Sequence, residues 1–135
     1  MIRTVYDFFV HGKPKAQPRP RMAKNGHVYN PDSADMWKAA VENHIKTCRK
    51  PMITDPVHLL VTFYLPWAGR RKSDPEKAPH GKKPDTDNLL KAVMDAMTAA
   101  GVWKDDALVF ATEASKWLAK EKHGARIIVK TGYAE

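Results

Sequence analysis

"PVHLLVTFYLP", Pro56 to Pro66, is a mostly apolar run held between two prolines. Its β-branched and aromatic content favours a strand, and it is far too short to cross a membrane as a helix. Apolar on both sides, it reads as a central strand of its sheet. On its N-terminal side "TVYDFFVHG", Thr4–Gly12, is a second strand, ended by Gly12. "KPKAQPRPR", Lys13–Arg21, follows, and its prolines forbid regular pairing. "GHVYNPD", Gly26–Asp32, adds a short hairpin-like turn before a helix capped near Asp32 or Ser33. In that helix Trp37, Val41, His44, Ile45 and Cys48 form one buried stripe, and Pro51 closes it.

On the C-terminal side Trp67–Pro84 is a long loop rich in Pro, Gly and charge, of a length that is usually functional or mobile. A helix over Asp87–Ala100 follows, with Leu90, Val93, Met97 and Ala100 towards the core and Gly101 as its stop. "ALVFATEASKWL" from Ala107 and "GARIIVKTGY" from Gly124 supply two last strands, joined near "KEKHG". The expected fold is α+β: a single domain over 1–135, with a mixed β-sheet of about four strands and two helices packed on it, in the order β-α-β-loop-α-β-β.

With 135 residues the chain can bury a core without disulfides or structural metals. A lone Cys48 excludes an intramolecular disulfide and a four-Cys zinc site, which fits a reducing interior. No signal-like N-terminus or membrane-length apolar run is present, so the expected location is cytoplasmic, with no membrane partner. The net charge of +8 is unevenly spread. Lys13, Lys15, Arg19, Arg21 and Lys24 lie between His11 and Asn30 without an acid, and Arg70, Arg71, Lys72, Lys77, Lys82 and Lys83 crowd the later loop. Basic irregular segments suit a polyphosphate, because each neutralised phosphate releases counterions. Plain solubility is the competing explanation.

Acids gather where that second loop meets its helix. Asp85 and Asp87 are two apart, Lys91 follows one turn later and Asp95 one turn after that. Asp87 suits the N-cap, Asp85 suits the positive end of the helix dipole, and Lys91–Asp95 suits a weak i, i+4 pair. A second acidic pair, Asp105–Asp106, follows the Gly101 stop. If the next strand runs back beside the helix start, Asp106 faces Asp85 and Asp87. Converging carboxylates repel unless a cation lies between them, and hard oxygen donors suit Mg²⁺ or Mn²⁺. Spacing leaves both readings open, capping with turn chemistry or a metal site for phosphodiester hydrolysis.

The segment "KPDTDNLLKAVMDAM", continued by "AAGVWKDDALV", resembles the signature of the RusA-type Holliday junction resolvases of bacteria and phages. That pattern is an Asp-x-Asp-Asn-Leu-x-Lys block, an Asp-Ala pair, a Gly stop and an Asp-Asp pair. Asp85, Asp87, Asn88, Leu89, Lys91, Asp95, Ala96, Gly101, Asp105 and Asp106 occupy it here. "GKPKAQPRPR" is similar to a stretch of the family's phage-type members. The resemblance implies a Mg²⁺-dependent endonuclease, with Mn²⁺ a possible substitute, that nicks four-way junction DNA symmetrically as a homodimer and needs no organic cofactor. By position it makes Asp85, Asp87 and Asp106 the essential, metal-holding carboxylates and Lys91 the essential lysine. Leu108 stands where the family often has Gln, and Met97 where it usually has Leu. DNA contacts are expected from Lys15, Arg19, Arg21, Arg70, Arg71, Lys72, Lys82 and Lys83.

Other readings compete. A non-catalytic DNA-binding module would keep the basic loops but has no use for converging carboxylates. A metal-dependent nuclease on other DNA or RNA would share the chemistry. A restriction-type core needs an acid-x-Lys triplet, which Asp106-Ala107-Leu108 fails. Of the six histidines, His80 is close enough in sequence to Asp85 to touch phosphate. Trp37 and Trp117 are expected in the core, Trp67 and Trp103 in core or rim packing, and Lys116 on a solvated strand face.

Overall fold

A computed structural model of the chain describes residues 1–18, 21–22, 28–29, 34–69 and 71–132, with backbone alone at 21–22 and 28–29. The elements in chain order are β1 (Arg3–His11), β2 (Arg21–Met22), β3 (Val28–Tyr29), α1 (Asp35–Cys48), β4 (Val57–Pro66), β5 (Lys77–Pro79), α2 (Thr86–Ala99), a 3-10 turn (Asp106–Leu108), β6 (Val109–Ala119) and β7 (Gly124–Thr131). The apolar run becomes β4, the middle strand of a five-stranded sheet ordered β1-β7-β4-β6-β5. It pairs antiparallel with β7 and parallel with β6. A parallel pair needs a crossover, and α2 lies within that connection. β2 and β3 form a short antiparallel pair; β3 lies within the stretch expected to turn, but its partner begins at Arg21, the last residue of the proline-rich stretch expected to stay unpaired.

The architecture is an α+β domain of two layers. Val57, Leu59, Val61, Phe63 and Leu65 alternate on one face of β4 and are buried. They align with Ala125, Ile127 and Val129 of β7, and the last three pair onward with Tyr6, Phe8 and Val10 of β1. Both helices cover this face, α1 through Trp37, Val41 and Ile45, α2 through Leu89, Ala92, Val93, Ala96 and Met97. The opposite face stays partly open, with half-buried Leu60, Tyr64 and Ile128 and an Arg126–Asp7 ion pair at 2.9 Å. At Gly124 the backbone passes so close to Val10 that an added Cβ would lie 2.0 Å from its carbonyl oxygen, and φ is +149°. Only glycine fits that approach.

Several expectations change. The sheet has five strands rather than four, because Lys77–Pro79, inside the expected loop, pairs with the edge of β6. The expected caps Asp32 and Ser33 lie outside the described residues; α1 follows Ala34, with no side-chain cap bond. It ends before Pro51, at Arg49 in the left-handed region, φ 50°. His44 is half-buried on the stripe and stacks on Phe8 at 4.6 Å. On α2 the buried stripe is centred one residue earlier than the periodicity suggested, on Leu89 rather than Leu90. Trp117 leaves the core: it is half-buried on the open face, its indole donating to Ser115 Oγ at 3.0 Å.

Candidate active site

The start of α2 carries the acids. Asp85, not Asp87, is its N-cap residue, extended at φ −69°, ψ 142°, and its side chain makes no cap bond. Asp87 lies in the first turn, and its carboxylate accepts from the Asn88 amide at 2.9 Å. The roles are therefore exchanged: Asp87 satisfies a helix-start amide, and Asp85 keeps an exposed carboxylate at the positive end of the helix dipole. Lys91 is exposed and pairs with Asp95 at 3.6 Å, the expected i, i+4 contact.

The far end of α2 is fixed by a double turn. Gly101 (φ 84°) donates its amide to Thr98 O at 3.1 Å, and Val102 donates to Met97 O at 3.0 Å, the pairing of a Schellman stop. Trp103 is fully buried and its indole donates to Thr98 Oγ1 at 2.7 Å. Ile53, just before β4, donates to Val102 O at 2.8 Å. This anchored turn delivers the second acidic pair. Asp105 caps the 3-10 turn by accepting from the Ala107 amide at 2.8 Å, while the half-buried Asp106 carboxylate has no hydrogen-bond or ion-pair partner among the described residues.

Asp106 does not return to the helix start within one chain. Val109 pairs with Val57 at the beginning of β4, the end where α2 finishes, and β6 then runs back along the helix. The residue it brings to the start of α2 is Lys116, paired in register with Phe63 on the helix-covered face. Its ammonium donates to Pro84 O at 2.7 Å and to Lys82 O, and its own carbonyl accepts from the His80 amide at 3.2 Å. Lys116 is thus half-buried and engaged, not a solvated strand residue. Inward parity with Ala114 and Leu118 was the sequence signal for it.

The two basic loops meet beside Asp85. A groove of about 860 Å³ is lined by Lys13 of the first loop, by Arg71, Lys82, Lys83 and His80 of the second, and by Trp67 and Pro84. The first loop is docked: Pro14 is fully buried, Gln17 donates its amide to Asn88 O at 2.9 Å, and Lys38 bonds the Gln17 side chain at 2.9 Å. Lys15 and Lys72 are exposed but do not line this groove. Arg19 and Arg70 lie outside the described residues, as does the side chain of Arg21. His80 accepts from the Lys82 amide through Nδ1, which places its proton on Nε2. Burial, with Lys116 and Lys82 nearby, holds the His80 imidazole below its usual pKa and hence neutral.

As a cation site the donors fit in kind and fall short in number. Asp85, Asp87 and Asp106 offer hard carboxylate oxygens suited to Mg²⁺ or Mn²⁺. Among the described residues, however, no three His, Cys, Asp or Glu side chains gather closely enough to hold a metal ion. One chain presents a pair of acids at the start of α2, next to the groove-lining Pro84, and a third beyond the other end of the helix.

Comparison with known proteins gives a consistent family. The sequence profile of the family "Endodeoxyribonuclease RusA" matches residues 11–130. A crossover junction endodeoxyribonuclease RusA of Aquifex aeolicus (strain VF5) is 31% identical over 108 residues, covering 79% of this chain and 75% of that protein. The Bacillus subtilis (strain 168) protein with the name "Uncharacterized protein YqaN" is 35% identical over 126 residues, 84% of this chain and 88% of its own length. Among the described residues no helix is long and apolar enough to cross a membrane.

Proposed function

The chain belongs to the RusA endodeoxyribonuclease family, and on that premise we propose that it resolves four-way DNA junctions by Mg²⁺-dependent, symmetric paired nicks in DNA recombination and repair, acting in the cytoplasm. The observation that carries the reading is the exposed, uncapping Asp85 carboxylate beside Pro84 in the wall of a cation-lined groove. Lys13, Arg71, Lys82 and Lys83 hold the phosphate backbone and lead it to the start of α2. Asp85 and Asp87 meet the scissile phosphate there, and a bound Mg²⁺ would supply Lewis-acid stabilisation of the charge that develops on it. Lys91, one turn along the same exposed face, contributes fixed positive charge near that phosphate.

The separation of the acids supports a homodimer. Asp106 lies beyond the far end of the 14-residue helix that Asp85 precedes. A two-fold pairing that lays the end of one α2 beside the start of another brings Asp106 of a second copy to Asp85 and Asp87 of the first, and makes two equal sites. Two equal sites match paired nicks on opposed strands of a junction.

The test is cleavage of a four-way junction compared with linear duplex and with RNA, with Mg²⁺ and with chelator. Junction-selective, chelator-sensitive paired nicking is expected. Equal cutting of duplex or RNA would leave a nuclease that is not a resolvase, and binding without cutting would leave a DNA-binding module.

A further inference from the structure

We infer that Lys116 is a positioning residue for Asp85, holding the backbone of residues 80–84 so that the carboxylate stands next to the groove-lining Pro84; the inference rests on the proposed role of Asp85. The segment from β5 to α2 has little else to hold it. Pairing of β5 with β6 ends at Pro79, and among the described residues the one backbone amide of 80–84 that reaches β6 is that of His80, at Lys116 O. Pro84 has no N–H to donate, and the exposed Lys82 and Lys83 side chains point no acceptor at the sheet.

One ammonium answers this shortage. Lys116 Nζ donates to both Lys82 O and Pro84 O, so the segment is folded around a single half-buried charge. The Pro84 carbonyl belongs to the peptide unit that links directly to Asp85. Fixing it fixes where the helix begins and where its N-cap carboxylate points, and the Leu89 amide closes the first turn on Asp85 O at 3.1 Å. The Lys116 backbone is a rigid base for this, because β6 pairs with β4 on one edge and β5 on the other. With both bonds made to main-chain carbonyls, the ammonium acts on the position of Asp85 rather than as an open phosphate contact.

Lys116→Met and Lys116→Arg test this, read by amide exchange at Asn88 and Leu89 and by single-turnover nicking set against junction affinity. Lys116→Met is expected to speed exchange at both amides and to slow nicking by about 100-fold, the scale of a small misplacement of a reacting group. Its junction Kd should stay near that of the wild type, and Lys116→Arg, which keeps donors and charge, should restore most of the rate. Unchanged exchange and rate in Lys116→Met would overturn the inference, as would affinity falling in step with rate. If Lys116→Met does not fold, a Lys116→Arg protein that loses rate with no change in exchange would also overturn it. A wild-type protein that cuts no junction would remove the catalytic reading of Asp85, while the exchange measurement would still decide whether Lys116 holds the segment.

Discussion

Asp85 is the N-cap residue at the start of α2 and Asp106 opens the 3-10 turn beyond its end, so the two acids are separated by the helix itself. At 1.5 Å per residue that helix is roughly 21 Å long, far beyond the reach of one shared cation. The paired elements explain why: β6 begins beside the start of β4, where α2 ends, and reaches the other end of the helix only at Lys116.

Complementation between two inactive variants follows from this separation. Asp85→Asn and Asp106→Asn proteins should each fail to nick a junction alone. Mixed under conditions that exchange subunits, they should regain single nicks, because one site of the mixed dimer then holds both acids. Absence of any recovery, with mixed dimers demonstrated by mass, would return the site to a single chain.

Loss of either helix-start acid should spare binding. Asp85→Asn and Asp87→Asn are expected to reduce Mg²⁺-dependent nicking by about 100-fold or more, the scale of removing one electrostatic group from a reacting centre. Junction affinity should hold or tighten, since each change removes negative charge facing phosphate. Full cleavage in both single variants would sink the assignment.

Groove cations should appear in salt dependence. Replacing Lys13, Lys82 and Lys83 with Ala together should weaken junction binding and reduce the slope of log K against log salt by about 1 for each phosphate that is no longer neutralised. The same measurement on Arg19 and Arg21 tests the rest of the first loop. An unchanged slope would take the loop concerned off the DNA surface.

The turn after α2 should be a stability hot spot. Trp103→Ala removes a fully buried indole and its bond to Thr98, and should cost about 3–5 kcal/mol in denaturant unfolding. Thr98→Val, which leaves the indole N–H unpaired, should cost about 1–3 kcal/mol. A loss under half a kcal/mol in both would mean that this turn does not anchor Asp105 and Asp106.

Acid should weaken the fold through His80. Its folded pKa lies below the ordinary 6.5, mainly through burial and then through Lys116 and Lys82. As pH falls below about 6.5 the unfolded chain therefore takes up this proton first. His80 contributes stability above that pH and loses it progressively below, until the folded form protonates as well. His80→Gln should flatten the unfolding free energy between about pH 6.5 and 5 relative to wild type; an identical slope would show that His80 titrates alike in both states.

Local pattern alone determined much of this protein. The apolar run of β4, the stripes on both helices, the Gly101 stop and the spacing from Asp85 through Asp106 are all written over a few neighbouring residues. The family profile matches residues 11–130, the part of the chain that bears them. Some differences were also local: the helix begins early enough to make Asp85 rather than Asp87 its N-cap residue, and a three-residue strand hid in a loop too short of apolar residues to announce it. Tertiary structure alone decided the direction in which β6 runs past α2. Pairing between β4 and β6 is a non-local choice of partner and register, and no run of neighbouring residues records it. That choice carries Asp106 away from Asp85 and brings Lys116 in its place, which is why one chain holds Asp85 and Asp87 at the start of α2 and Asp106 beyond its end.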